Sequence, residues 1–124
     1  MFFSSKDRTK LQGAQAETQA EQFLQQQGLV LQQKNFRCKA GEIDLIMRDQ
    51  HYLVFVEVRL RSNRQFSSAA ESVTWQKQQK IVRTAQIYLL KHNLLDKARC
   101  RFDVVTFDRL SGHPQWIKDA FGGA

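Results

Sequence analysis

Tyr52-Leu53-Val54-Phe55-Val56-Glu57-Val58-Arg59-Leu60 is a nearly continuous apolar and β-branched run. Such a run reads as a strand in the middle of a sheet, covered on both faces. Two of its residues sit awkwardly there. Glu57 and Arg59 are two apart, so strand alternation turns both side chains to the same face. Ionised groups beside a core are costly unless they pair or coordinate a metal.

Working upstream, Asp49-Gln50 reads as a turn, preceded by Gly41-Glu42-Ile43-Asp44-Leu45-Ile46-Met47. Alternation places Ile43, Leu45 and Met47 on one face of this strand and Glu42, Asp44 and Ile46 on the other. If this strand and the central one form the antiparallel hairpin that the turn suggests, Asp44 and Glu57 lie side by side. Leu29 to Phe36 reads as a further strand. Before it, Ala16, Ala20, Phe23 and Leu24 fall on one face of a helix running from about Thr9 to Gln27, with Gly28 as its stop.

Downstream, Arg61 to Ser72 is polar and without periodicity. Thr74 is a plausible N-cap for a second helix, in which Ile81, Val82, Ala85, Tyr88 and Leu89 form an apolar stripe that Asn93 closes. Cys100 to Phe107 reads as a strand, Ser111-Gly112-His113-Pro114 as a turn, and Gln115 to Phe121 as a short last strand. The order α-β-β-β-α-β-β predicts an α/β fold with a mixed central sheet flanked by helices.

At 124 residues the chain has the size of one domain, with the core expected over about residues 9–121 and residues 1–8 as a disordered tail. A net charge of +7 favours polyanionic partners, though a soluble basic protein without one has the same composition. Cys38 and Cys100 are too few and too far apart for a disulfide framework or a zinc site, and read as small hydrophobes in a reducing compartment. The N-terminus has no signal-like apolar run and no stretch approaches a membrane span, so the expected location is cytoplasmic, with no membrane partner. His51, His92 and His113 lack ligand spacing and read as surface residues. No serine–histidine–aspartate order, phosphate-loop glycine motif or Cys-x-x-Cys points to another enzyme class.

Two neighbouring carboxylates repel unless a cation sits between them. The hard oxygen donors of Asp44 and Glu57 suit Mg²⁺ or Mn²⁺. A Glu57–Arg59 ion pair, with Asp44 on a wet edge, is the competing reading. For an isolated Glu-x-Arg it is the commoner outcome, and Asp44 narrows the gap without closing it.

Several strings together resemble the YraN family of small bacterial proteins, related in fold to Holliday junction resolvases and PD-(D/E)xK nucleases. They are Gly41-Glu42-Ile43-Asp44-Leu45-Ile46, Val54-Phe55-Val56-Glu57-Val58-Arg59 and Arg101-Phe102-Asp103-Val104-Val105, with Gly13-x-x-x-Glu17-x-x-Ala20, Val73-x-x-x-Lys77 and Trp116-Ile117-x-x-Ala120-Phe121 around them. The match runs in order from about Gly13 to Phe121.

The resemblance implies a restriction-endonuclease-like α-β-β-β-α-β core and a metal-dependent endonuclease acting on DNA, branched or single-stranded. Asp44 and Glu57 would be metal ligands, and Glu17 the acid that such resolvases add from the first helix. Arg59 stands where the motif has lysine. Arginine can bind phosphate oxygens bidentately but cannot serve as a general base. An alternative is therefore a non-catalytic nucleic-acid-binding protein of the same fold, and a second is an interaction protein with no nucleic-acid role. Arg61, Arg64 and Lys77 are candidates for tracking a phosphate backbone. Trp75 could stack on a base, although such a residue is more often a partly buried helix anchor. Asp103 reads as a structural hydrogen-bonding acid. Junction resolvases act as symmetric dimers, so a homodimer is compatible with the resemblance, but fold kinship does not transfer assembly.

Overall fold

A computed structural model describes residues 5–60, 73–108 and 112–122, with side chains from residue 12 onward. Helix α1 (Ser5–Gln26) leads into strands β1 (Val30–Cys38), β2 (Gly41–Asp49) and β3 (Tyr52–Leu60); helix α2 (Trp75–Lys91) and strands β4 (Arg99–Phe107) and β5 (Gln115–Phe121) follow. This is the predicted order. The five strands form one sheet in the order β1-β2-β3-β4-β5, antiparallel except for the parallel pair β3 and β4. A parallel pair needs a long crossover, and α2 lies within it.

The helices cover opposite faces. Ala16, Ala20 and Leu24 bring α1 onto Leu45, Met47, Val54, Val56 and Val105. Ile81, Val82, Ala85, Tyr88 and Leu89 bring α2 onto Phe36, Ile43, Ile46, Phe55 and Phe102. β3 is therefore sandwiched, with Val54 to Glu57 all buried. That is why its sequence is apolar on both sides of the alternation. Among the described residues no helix is long and apolar enough to cross a membrane.

Local chemistry sets the helix ends. Gly28 (φ +98°) follows α1 in the left-handed region; its N–H donates to Gln25 O and that of Leu29 to Leu24 O. This is the paired closure of a Schellman motif, sealed by the buried Leu24 and Leu29. Asn93 (φ +57°) does the same for α2, with Asn93 N–H donating to Leu90 O and Leu94 N–H to Leu89 O. At the other end, Thr74 Oγ1 accepts from Lys77 N–H at 3.2 Å as the N-cap. α1 begins at Ser5, ahead of the predicted Thr9, because its first turn carries no apolar residue for periodicity to detect.

One expectation fails in β2. Ile43 does not share a face with Leu45 and Met47; it packs under α2 with Ile46, while Leu45 and Met47 lie under α1. On β1, Lys34 and Phe36 pair with Leu45 and Ile43, which leaves Asn35 opposite Asp44. Asn35 is left-handed, at φ +52°. Asparagine tolerates that conformation better than most residues, and the strand pair exchanges faces across it.

Candidate functional site

The exchange point is where the carboxylates gather. The β2–β3 ladder ends at Leu45 and Val56. One step further its register would set Asp44 opposite Glu57; instead Val58 N–H donates to Asp44 Oδ2 at 2.8 Å. A side chain thus replaces a ladder bond, and the sheet opens at this end. Through the opening Glu17 arrives from α1. Carboxylate oxygens of Glu17, Glu42 and Asp44 lie within 4.8 Å of one another, and they are the only such group among the described residues. Asn35 holds two members of the set: with its amide turned to suit both, the nitrogen donates to Glu42 at 3.0 Å and to Glu17 at 3.1 Å.

A cleft of about 330 Å³ lies over this ledge, between the sheet and the first turns of α2. Its lining includes Glu42, Asp44 and Glu57 from the strands, and Thr74, Gln76, Lys77 and Lys80 from the helix side. Gly41 makes the close approach possible. It has φ +152°, and a Cβ there would come within 3.1 Å of Thr84 Oγ1 on α2.

Crowding acids in partial burial makes their ionisation difficult. Glu17 is pushed up to about 7, first by burial and then by the charge of Asp44, its hydrogen bond with Asp44 and the charge of Glu42. Glu57 also rises to about 7, by burial and then by the charge of Asp44, against the pull of Lys77 and Arg59. Asp44 is raised by burial despite its bond from Val58. A hard divalent cation is the natural complement of three converging carboxylates, since its charge offsets the repulsion and its ligands are oxygens. The donor set fits one.

The expected ligands are therefore brought together in part. Glu17 and Asp44 converge, with Glu42 as the third acid. Glu57 stands outside that group, because its carboxylate is drawn to cations: Lys77 Nζ lies 2.8 Å from Oε1, and Arg59 Nη1 lies 4.0 Å from the same oxygen. Glu42 carried a signal in the sequence, since alternation had set it beside Asp44. Asn35 carried none without the β1–β2 register. Lys77, expected along a phosphate backbone, instead reaches into the acid site. Arg61 and Arg64 lie outside the described residues. Trp75 is 67% exposed and is not a buried anchor.

Asp103 belongs elsewhere. Fully buried, it accepts from Arg101 Nε and Nη2, from Trp116 Nε1 and from Asp119 N–H, at 2.9–3.0 Å. Every lone-pair direction is used by the protein, which leaves it a structural acid, as its sequence context suggested. His51, His92 and His113 are exposed, and Cys38 and Cys100 are free thiols.

Fold and site together define a small mixed α/β domain, helices on both faces of its sheet, whose α-β-β-β-α-β core opens at one end into an acid-lined cleft. The chain belongs to the uncharacterised protein family UPF0102, which is the YraN family; the family pattern matches residues 16–107. Among its relatives, a UPF0102 protein of Hahella chejuensis is 53% identical over 110 residues, covering 88% of each chain. One of Nitrosospira multiformis is 52% identical over 113 residues, 90% of this chain and 93% of the relative. One of Legionella pneumophila is 45% identical over 113 residues, 91% of this chain and 96% of the relative.

Proposed function

We propose that this protein is a metal-dependent endonuclease that hydrolyses phosphodiester bonds of DNA in the cleft over Asp44. The observation that supports this most is the gathering of Glu17, Glu42 and Asp44 from two elements onto one point, with two basic side chains on the neighbouring Glu57. Acids arranged this way repel one another in the free protein, and a divalent ion relieves them.

Mg²⁺ or Mn²⁺ held by Glu17, Glu42 and Asp44 would lower the pKa of a bound water and polarise the phosphate. The protein's own groups do the rest. Val58 N–H fixes the Asp44 carboxylate. Asn35 steers Glu17 and Glu42. Glu57 holds Lys77 in the lining of the cleft and has Arg59 near the same carboxylate oxygen, so that an ammonium, and a guanidinium close behind it, would be available to an entering phosphate. Arg59 suits bidentate contact with phosphate oxygens and stabilises developing negative charge. Lys77 adds a second positive charge on the same carboxylate, carried by a compact ammonium. The departure from the motif at Arg59 is thereby offset by a lysine from the helix. Such a nuclease would work on DNA in the cytoplasm.

The test is Mg²⁺ and Mn²⁺ titration by calorimetry alongside a DNA cleavage assay, with Asp44→Asn and Glu57→Gln as controls. Saturable metal binding lost in Asp44→Asn, together with metal-dependent cleavage lost in both variants, is the expected result. DNA binding without metal uptake or cleavage would favour the non-catalytic reading, for which the partnering of Glu57 by Lys77 and Arg59 speaks. Absence of salt-sensitive DNA binding would leave only an interaction protein.

A further inference from the structure

Among the described residues two cations line the cleft, Lys77 and Lys80. They differ in what they hold. Lys77 places its ammonium 2.8 Å from Glu57 Oε1. Lys80 is exposed and forms no salt bridge with any described acid. Glu42, the acid next to Gly41, is paired instead with Arg37, whose Nε lies 3.3 Å from Glu42 Oε1. The place of Lys80 is set by contacts on two sides. Thr84 Oγ1 donates to Lys80 O at 2.7 Å, and a Cβ built on Gly41 would lie 3.9 Å from Lys80 Cβ. Lys77 thus reaches the β3 side of the site, where Glu57 stands, while Lys80 lies over the start of β2. Residues three apart on a helix are neighbours on one face, with Cβ atoms about 5–6 Å apart. Two positive groups in a row along the cleft suit two successive phosphates of one strand.

We infer that Lys80 holds a second phosphate of the bound strand, the one next to the phosphate over Asp44. This rests on the nuclease reading above and deepens it, because the substrate must then continue past the bond that is cut. The terminal bond at one end of a strand lacks that neighbour, so the contact favours cleavage within a chain. An ammonium on a flexible stem is a point charge that can follow a backbone without reading bases. Since Lys80 has no acid to give up, an incoming phosphate meets an uncompensated charge. Lys77 by contrast shares its ammonium with Glu57.

The experiment uses the full chain, with Ca²⁺ for binding and Mg²⁺ or Mn²⁺ for cleavage, on a fluorescein-labelled DNA hairpin carrying a single-stranded arm. Anisotropy gives Kd across a salt series. Loss of one phosphate contact lowers the slope of log affinity against log salt by about 0.7–0.9, which at about 0.1 M salt is roughly a five- to eightfold weakening. Lys80→Gln is expected to show both, with a matching rise in KM and a kcat changed less than about twofold, since the contact is made equally before and during the reaction. Lys80→Arg keeps the charge and is expected to stay near the parent. Lys97→Gln removes the same charge beyond the C-terminal end of α2 and is expected to change Kd less than about twofold. Both lysines are exposed, so thermal melts of the variants stay near the parent.

An unchanged salt slope in Lys80→Gln, or an equal loss in Lys97→Gln, overturns the Lys80 contact and leaves the nuclease reading standing. A reduced slope in a protein that takes up no metal and cuts nothing keeps the contact and removes the nuclease reading. Failure of the parent protein to bind the hairpin overturns both.

Discussion

Raising pH should destabilise the metal-free protein, and a divalent ion should reverse the loss. In the folded state Glu57 binds its proton up to about pH 7, against 4.5 for an ordinary glutamate, because it is buried and faces Asp44. Between those values the folded chain holds more protons than the unfolded one, so stability falls as pH rises. The contribution is present below the unfolded value and is lost once pH has passed through the folded one. At about 1.4 kcal/mol per unit, the buried Glu57 alone is worth about 3 kcal/mol over the full window, and between about 2 and 3 kcal/mol from pH 5 to pH 8.5. For a domain of this size that corresponds to a fall of roughly 10 °C in Tm. Glu17 shifts in the same direction but is partly exposed, so its share is discounted.

The assay is thermal unfolding in chelator across that pH range, repeated with excess Mg²⁺ or Mn²⁺. At a hundredfold excess over its Kd, a bound ion restores about 2.7 kcal/mol at pH 8.5. At pH 5 it restores far less, because protons occupy the ligands. Asp44→Asn removes the charge that raises both neighbours while keeping an oxygen for Val58 N–H, so it should flatten the pH dependence and suppress the metal effect. A parent Tm independent of pH in chelator, or an equal metal increment at both ends of the range, would refute the argument.

Glu42→Gln should weaken Mn²⁺ binding about ten- to a hundredfold by calorimetry, an effect the expected set of Glu17, Asp44 and Glu57 does not predict. Lys77→Gln should lower the cleavage rate about a hundredfold or more, while Arg59→Lys should change it by less than about threefold. From the motif alone Arg59→Lys would raise activity, so single-turnover rates of the two variants decide between the lysine positions. Gly41→Ala should lower stability by about 1–3 kcal/mol in urea unfolding, since it combines a positive φ with a close contact on Thr84. Asp103→Ala should cost about 3 kcal/mol by leaving Arg101 with Asp49 as its remaining acid and the Trp116 N–H without its acceptor, and refolded protein at low temperature should still take up metal.

Much of the fold could be read from the chain because its local signals agree. Val54, Phe55 and Val56 mark a strand covered twice, the stripe from Ile81 to Leu89 marks one helix face, and Gly28 and Asn93 sit where left-handed stops are needed. The site was less legible where it depends on more than one element. The change of face in β2 is set by the backbone of Asn35 on a different strand, so no alternation rule applied to β2 alone can find it. The grip of Lys77 on Glu57 follows from how α2 docks, which Gly41 controls from the sheet. Asp44 stood out because an acid between Ile43 and Leu45 has no apolar explanation. Glu42, one residue from the turn, had an ordinary solvent-facing one.

The early end of the β2–β3 ladder has a consequence for when the cleft becomes competent. Glu17 comes from the layer on one side of the sheet and Lys77 from the layer on the other, and each acts on Asp44, where the strands part. Neither half of the molecule carries a working set of groups by itself. If the proposed nuclease reading holds, a nascent or partly melted chain with one helix undocked would leave nucleic acid uncut, and undocking of α1, seated through the small side chains of Ala16 and Ala20, would release a bound ion before the sheet gives way.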